Sequence, residues 1–470
     1  MDVHVTLTGA GDLAASIYRQ LHDAILDGRL RPGERLPPTR ELAGRLDVAR
    51  NTVAVAYERL TAEGFLDARV GAGTYVAHPM AVARARRRRS APAGDVRPRK
   101  VWESVATMRT GVPDPAYDFR VGVPDADLFP LATWRRLVAG ELRAATLRPA
   151  GYRDPAGHEG LRDAIARHVG VARAVRARAD DVLVTNGAQQ ALDLIGRVLV
   201  GPGDTVAVEA PGYPPARQLF HSMGARVVGV PVDAEGLDVD ALPPDARLVY
   251  VTPSHQFPLG VPMSLGRRTA LLDWAARRGA VVVEDDYDSE FRFSDRPLEP
   301  LQSLDRAGRV VYVGTFSKTL LPTLRLGFLV APASLRPALR AAKQLTDWHG
   351  DRTSQGALAR FVDSGELGRH VRKATKVYGE RHRLIRAALR DDFAAWLRPV
   401  PSVAGLHVCA LAQPDATVDI GRWVDRAGVA GVAVESLATY GGPPGLVLGY
   451  GAIRAADVAD GLRLLRRYVR

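Results

Sequence analysis

The chain has 470 residues, too many for one ordinary core, so two or three domains are expected. Hydrophobic residues make up 46% and charged residues 25%, a globular balance, and no run of about 18 apolar residues offers a membrane span. The net charge of +12 points to a polyanionic partner only where it is concentrated, because an arginine-rich composition alone can reflect a GC-rich genome.

The first twenty residues contain Asp2, Asp12 and Arg19 and lack an apolar signal core, so a cytoplasmic rather than secreted protein is expected. A lone cysteine, Cys409, cannot form an internal disulfide and reads as a small buried apolar residue. In chain order, Leu13, Ile17, Leu21 and Ile25 recur every four residues and put an apolar stripe on a first helix, bounded by Gly28 and Pro32. A second short helix begins near Thr39, with Glu41 in its first turn where the helix dipole favours a negative charge. A tight turn near Asp47 leads to a third helix over 50–63 whose inward face is Val53, Ala56, Tyr57 and Leu60. Residues 65–68 and 74–77, joined through Val70-Gly71-Ala72-Gly73, read as a two-stranded wing. This order makes the third helix a candidate for a DNA major groove. Its first turn carries Arg50, Asn51 and Thr52, able to contact phosphates and base edges.

Residues 79–115 are rich in Ala, Pro and Arg and read as a linker. Within 81–100, Arg84, Arg86, Arg87, Arg88, Arg89, Arg97, Arg99 and Lys100 face only Asp95. Two readings stand side by side: a solvated tether, and a tether that adds nonspecific DNA affinity through counterion release. From about 116 the pattern is α/β, with candidate strands at 182–185, 205–209, 226–230, 248–252, 280–284, 310–314 and 326–331. Their nearly continuous apolar runs predict a mainly parallel sheet covered on both faces.

Four elements at the ends of these strands carry chemistry. Lys318 follows a buried strand, flanked by Thr315 and Ser317 and with Arg325 seven residues on, which suits an amine that condenses with an aldehyde beside a phosphate. Asp285 at a strand tip can pair with a protonated pyridine nitrogen, and the Tyr287 phenol two residues later can donate to a ring oxygen. Gly187, Ala188 and Gln189 open a helix whose free N–H groups suit phosphate, and Tyr213 in a Pro-Gly-Tyr turn can stack on a ring. Each alone has a plainer explanation, such as a surface lysine, a solvated acid cluster or simple turn chemistry. Their joint placement where open α/β sheets bind ligands raises them together.

The segment "RLRPGERLPPTRELAGRLDVARNTVAVAYERLTAEGFLDARVGAGTYV" resembles the GntR-type winged helix over nearly its whole length. "EDDYDSEFR", "TPSHQFPLG" and "GTFSKTLLPTLRLGFLV" resemble fold-type I pyridoxal 5′-phosphate (PLP) enzymes, the aminotransferase superfamily, and joined to such a head they resemble the MocR subfamily of regulators. The resemblance implies a multidomain chain. A mainly α winged helix-turn-helix would occupy 1–78, and an α/β aminotransferase-like domain 116–470, with a large subdomain over about 116–335 and a small one over about 336–470. It implies that Arg40, Arg50 and Thr52 touch the operator and that the wing around Gly71 and Gly73 enters the minor groove. It further implies that Lys318 bonds PLP covalently, Asp285 meets its ring nitrogen, Tyr287 its O3′ and Tyr213 its ring face. Gly187, Ala188, Gln189, Thr315, Ser317 and Arg325 would form the phosphate cup. His255 or Gln256, in the 252–260 loop, would approach O3′, although Leu259 departs from the family pattern there.

Two further departures stand out. Pro38 and Ala49 occupy helix starts where the family often has Ser, and Val447 occupies the place of the arginine that clamps a substrate α-carboxylate in aminotransferases. Arg454 lies nearby but beyond the strand. The expectation is a homodimeric, PLP-responsive DNA-binding regulator rather than an enzyme, with PLP or a PLP–amine adduct as effector. Its targets would be vitamin B6 synthesis or salvage genes, as in PdxR-like members. The alternatives are a working aminotransferase with an accessory head, and a regulator whose second domain has lost PLP.

Overall fold

The computed structural model describes residues 5, 12–69, 73–77, 95–103, 105, 114–143, 151–293 and 299–469. Gly71 of the wing and Arg84, Arg86, Arg87, Arg88 and Arg89 of the basic tract lie outside them. The chain divides into two compact units, ending and beginning at Pro98 and Arg99.

The first unit holds α1 (Leu13–Leu26), α2 (Thr39–Leu46), α3 (Arg50–Ala62), β1 (Leu66–Arg69) and β2 (Gly73–Val76). Ile17, Leu21 and Ile25 of α1 bury their stripe against Leu42 of α2 and Val53, Ala56, Tyr57 and Leu60 of α3. The turn after α2 closes on Asp47, whose φ of 52° lets its N–H reach the Ala43 carbonyl. Neither Pro38 nor Ala49 gives its helix a side-chain cap, a loss of about 0.5–2 kcal/mol per helix relative to Ser. Tertiary contacts offset it: the buried Tyr57 hydroxyl donates to the Pro37 carbonyl at 2.9 Å, tying the middle of α3 to the start of α2. β1 and β2 pair antiparallel from Leu66↔Val76 to Arg69↔Gly73, forming the expected hairpin.

The second unit begins with a short turn of 3-10 helix, Lys100–Glu103, inside the stretch read as linker. Arg99 anchors it by donating to the Ser222 carbonyl at 3.1 Å. Then come β3 (Tyr117–Asp118), β4 (Val182–Thr185), β5 (Thr205–Ala210), β6 (Arg226–Asp233), β7 (Gly236–Leu237), β8 (Ala246–Val251), β9 (Val281–Asp286), β10 (Val310–Thr315) and β11 (Gly327–Val330). The last strands are β12 (Leu397–Pro399), β13 (His407–Ala412), β14 (Val432–Ala433), β15 (Glu435–Ser436) and β16 (Gly445–Gly449).

The large sheet runs β4-β11-β10-β9-β8-β5-β6-β7, and every strand expected from the apolar runs is in it. Successive side chains alternate faces. Val206, Leu248, Val283 and Val313 pack under helix Ala188–Leu199, while Ala207, Val249 and Val282 pack against Leu271 and Trp274 of helix Leu265–Arg278. β11 runs antiparallel to both its neighbours, because the return from β10 is too short for the crossover a parallel strand needs. The consequence is functional: the start of β11 lies at the same edge as the ends of β4, β9 and β10.

The expected division near residue 335 needs correction. Helix Arg352–Asp363 buries Ala357, Leu358 and Phe361 against Leu161, Ile165 and Phe328, so it belongs to the large subdomain. Conversely, β3 pairs with β14, and Phe119 is buried among Tyr378, Val408, Trp423 and Leu448 of the small one. The smaller sheet runs β12-β13-β16-β15. Among the described residues no helix is long and apolar enough to cross a membrane.

Candidate functional site

In the first unit, the start of α3 exposes Arg50 and Asn51, with Thr52 half-buried, and Arg40 is exposed on α2. The Arg50 Nε donates to Thr39 Oγ1 at 3.4 Å, which joins the first turns of the two helices into one polar tip. Gly73 is required by close approach: its φ is 114°, and a Cβ there would lie 2.8 Å from Arg35 Nε. Its role in the hairpin is therefore at least partly structural.

In the second unit, register assembles the pocket. Asp285 sits beside Val313 in the β9–β10 pair, and Gly327 beside Thr185 in the β11–β4 pair. These pairings bring Lys318, just past β10, Asp285, at the end of β9, and Arg325 and Gly187 to one edge. Lys318 is mostly enclosed and burial lowers its pKa, against the pull of Asp288, Asp285 and Glu435. Its Nζ donates to the Gly122 carbonyl at 2.7 Å. A desolvated lysine amine is a better nucleophile at neutral pH.

The three consecutive acids, Glu284, Asp285 and Asp286, are all buried but do different things. Asp286 accepts from Arg173 Nε at 2.7 Å and from the Tyr312 hydroxyl at 2.6 Å. Burial, the largest single influence, works to raise its pKa, but the Arg173 charge, the Ser289 hydroxyl and the hydrogen bonds from Tyr312 and Arg173 together hold it below the usual carboxylate range. Glu284 accepts from the backbone N–H groups of Leu301 and Gln302. Asp285 faces the other side of the sheet, where one oxygen accepts from the Tyr250 hydroxyl at 2.8 Å. Its second oxygen, Oδ1, is buried and has no hydrogen-bond partner among the described residues. Burial pushes the Asp285 pKa up to about 7, with the Tyr250 hydrogen bond acting against the rise. A buried carboxylate oxygen without a partner is costly, and it marks a place where a cationic donor fits.

The phosphate-cup candidates converge at Gly187. That residue, φ 84°, precedes helix Ala188–Leu199, whose start has no side-chain cap, so its first N–H groups and positive dipole end remain available to an anion. Arg325, itself at φ 51°, donates to the Asn186 carbonyl at 2.7 Å. Its Nη2 lies 2.9 Å from where a Cβ on Gly187 would be. Thr315 and Ser317 are buried at the end of β10, with the Ser317 N–H donating to Thr315 Oγ1 at 3.1 Å. Gln189 is half-buried in the first helical turn. The cup and the Asp285 acceptor fit the two ends of a PLP molecule, an anionic phosphate and a protonatable ring nitrogen.

Tyr213 is edge-on to Phe257, with ring centroids 5.6 Å apart, and burial raises its pKa to about 12. Burial is the main cause, with the Asp285 carboxylate adding to the rise and the Arg325 guanidinium opposing it. The Tyr287 hydroxyl donates to the His255 carbonyl at 3.0 Å and lies 3.1 Å from His255 Nδ1. That ring nitrogen is also 3.1 Å from both oxygens of Asp288. His255 and Asp288 thus back Tyr287, whereas the Gln256 amide is turned to Glu209, Pro211 and Phe257. Tyr250, Asp288 and Glu435 were missed by sequence reasoning. Only Asp288, inside the "EDDYDSEFR" run, carried any local signal.

Val447 does not face solvent or an ion. It is buried with Cys409 and Leu437, and Tyr440, Val121 and Leu259 pack around them. Arg454 is exposed and pairs with Asp457 at 2.6 Å.

Comparison with known proteins agrees with both units. The model of the bacterial regulatory protein gntR family matches residues 13–76, and that of aminotransferase class I and II matches 119–416. The chain is 38% identical to a probable rhizopine catabolism regulatory protein MocR of Rhizobium meliloti, over 96% of this chain and 92% of that one. It is 31% identical to the pyridoxine biosynthesis transcriptional regulator PdxR of Corynebacterium glutamicum, over 94% and 92%. Among solved structures it resembles kynurenine aminotransferase of Pyrococcus horikoshii, with a TM-score of 0.70 and 28% identity over 79% of this chain and 98% of that one. It also resembles the α-aminoadipate aminotransferase LysN of Thermus thermophilus, which was solved with a phosphopyridoxyl-leucine adduct (TM-score 0.68, 32% identity, 75% and 91% covered). With a GntR-type head, an aminotransferase class I and II body and near full-length similarity to such regulators, the chain belongs to the MocR subfamily of GntR-type transcription regulators.

Proposed function

We propose that the protein is a PLP-responsive DNA-binding transcription regulator that works as a homodimer, each head reading one half of an operator. The observation that carries the PLP reading is the partnerless buried Oδ1 of Asp285, set opposite a desolvated Lys318 and an uncapped helix start. In this reading Lys318 attaches the cofactor, Asp285 holds the proton on its ring nitrogen, Tyr287 donates to O3′ and Tyr213 covers the ring. Gly187, Ala188, Gln189, Thr315, Ser317 and Arg325 hold the phosphate. PLP supplies an aldehyde that condenses reversibly with primary amines, losing water. The rest falls to the chain: His255 and Asp288 orient the Tyr287 hydroxyl, and the Gly122 carbonyl holds the Lys318 amine in place.

Arg40, Arg50, Asn51 and Thr52 are the proposed DNA contacts of the head, with Gly71 and Gly73 shaping the wing. Effector binding changes DNA affinity only as far as it favours one conformation over another. The relative named for pyridoxine biosynthesis supports target genes in vitamin B6 synthesis or salvage, although the regulator named for rhizopine catabolism has the higher identity. A working aminotransferase is the second reading, favoured by the 34% identity to an aromatic-amino-acid aminotransferase of Thermococcus litoralis over 59% of this chain. Val447 in place of a carboxylate clamp weighs against it, since a lost bidentate contact costs both affinity and orientation.

The test is the visible absorbance of the purified protein with PLP. The parent takes on the band of a lysine-bound cofactor and Lys318→Ala does not; an unchanged band in the variant would reject the lysine assignment. Steady keto-acid production from several amino acids would favour the second reading.

A further inference from the structure

One face of the small sheet is tied to the lysine of the pocket through Val121 and Gly122. Residues of one face alternate along a strand, and cross-strand pairing places His407 opposite Gly449, Cys409 opposite Val447, and Val447 opposite Glu435. Arg120–Val123 lies flush on this face: a Cβ on Gly449 would meet the Arg120 carbonyl oxygen, and one on Gly451 the Val123 carbonyl oxygen. That same segment joins the face to the lysine. Glu435 Oε1 accepts from the Val121 N–H at 2.8 Å, and the next residue, Gly122, holds Lys318 Nζ through its carbonyl. The Glu435 carboxylate and the reactive amine are thus fixed to adjacent residues.

The charge on this face is one-sided. Glu435 is an acid, and its second oxygen accepts from the Tyr440 hydroxyl. Val447, Cys409 and Leu437 are apolar, and burial pushes the Cys409 thiol up to about 12. His407 is held neutral by burial, its pKa driven well down, and its Nε2 is taken by the Pro258 carbonyl at 3.0 Å. Arg120 is occupied by Asp118, which accepts from its Nε at 2.9 Å. The arginine that does face Lys318, Arg325, is at the phosphate end beside Gly187. Beside Lys318 an incoming carboxylate would meet the Glu435 acid, with the packed apolar cluster of Val447 behind it and, among the described residues of this face, no cation but the paired Arg120, and like-charge juxtaposition disfavours binding. A carboxylate has about four acceptor sites, and two hydrogen bonds leave Glu435 with capacity for a ligand's donors.

We infer that the effector of this regulator is a primary amine without a carboxylate, whose tail carries hydroxyl or ammonium donors for Glu435. The inference rests on the PLP reading above and deepens it. With PLP bound, Lys318 would hold its imine carbon, and an effector amine taken up there would exchange with the Lys318 nitrogen, which would leave as a free amine, so atoms balance without water or any oxidant.

The experiment titrates the full-length, PLP-loaded protein with putrescine, 2-amino-1,3-propanediol, 4-aminobutyrate and L-alanine, following the visible band of the bound cofactor. The first two amines perturb the band at concentrations about tenfold or more below the two amino acids. Glu435→Gln, close in shape to the parent, narrows the preference for putrescine over 4-aminobutyrate, and Val447→Arg shifts preference toward the amino acids. A loaded parent protein that answers to amino acids as readily as to these amines overturns the ligand class alone. A protein that takes up no PLP overturns the cofactor reading, and the ligand class falls with it.

Discussion

Asp285 and its neighbours show how one residue step in a strand separates two kinds of acid. Asp286, on one face, has Arg173 and Tyr312 and stays ionised; Asp285, on the other, has Tyr250 on one oxygen and, among the described residues, no partner on the second. A carboxyl whose pKa is raised on folding contributes stability below its ordinary 3.8, and that contribution is lost as pH rises through about 7. Glu209 and Glu284 rise to about 7 for the same reason, burial, and slope the same way. The cofactor-free protein is therefore expected to lose melting temperature between pH 5 and pH 8. Asp285→Asn should flatten that loss, and equal slopes for parent and variant would show that Asp285 ionises as freely as an exposed acid. The same variant should also bind PLP more weakly, since an amide cannot hold a proton on a pyridine nitrogen. At this scale the sequence was informative where chemistry is local: Lys318, Asp285 and Tyr287 stand at strand tips a few residues from the strand that places them. Tyr250 and Glu435 were not legible, because the first reaches Asp285 across 35 residues and the second reaches Val121 across 314. Nothing near either in sequence marks it as part of a pocket.

Among the elements, the pocket depends on the direction of β11 and on two glycines that let strand and helix touch. A buried apolar strand reads the same in either direction, so hydrophobic pattern gave its existence and not its polarity. Only the short return after Lys318 hints that it runs antiparallel. The amphipathic helix Arg352–Asp363 poses the same difficulty: its apolar face says that it is buried, not that its partner is the large subdomain. Where β11 begins, a Cβ on Gly327 would sit 2.8 Å from the Gly187 Cα, and one on Gly187 would strike Arg325. Gly187→Ala is expected to cost about 1–3 kcal/mol of stability from its positive φ alone. It should weaken PLP binding further by moving Arg325 and the start of helix Ala188–Leu199. Thermal melts with and without PLP measure the two parts separately, and a variant with parent-like cofactor affinity would remove this helix start from the phosphate site.

At the scale of the whole molecule, two units with separate cores have to share one free energy if the protein is a sensor. Linkage makes that requirement quantitative: if PLP changes operator affinity by some factor, operator DNA must change PLP affinity by the same factor. Arg50→Ala is expected to weaken operator binding by about 1–3 kcal/mol if Arg50 reads a base edge, and to leave the cofactor band of the free protein intact. If Arg50 contacts only phosphate, the loss should instead be uniform across sequences and the salt dependence of binding should shrink. Lys318→Ala should do the reverse, keeping DNA affinity in the absence of PLP and losing the response to it. Binding measured by fluorescence anisotropy at fixed salt, with PLP present and absent, separates these cases. Unequal factors in the two directions would mean that a further equilibrium, such as dimer assembly, enters the linkage. A factor of one in both would mean that the aminotransferase-like body holds its cofactor without informing the head, which leaves catalysis as the reason for an intact lysine.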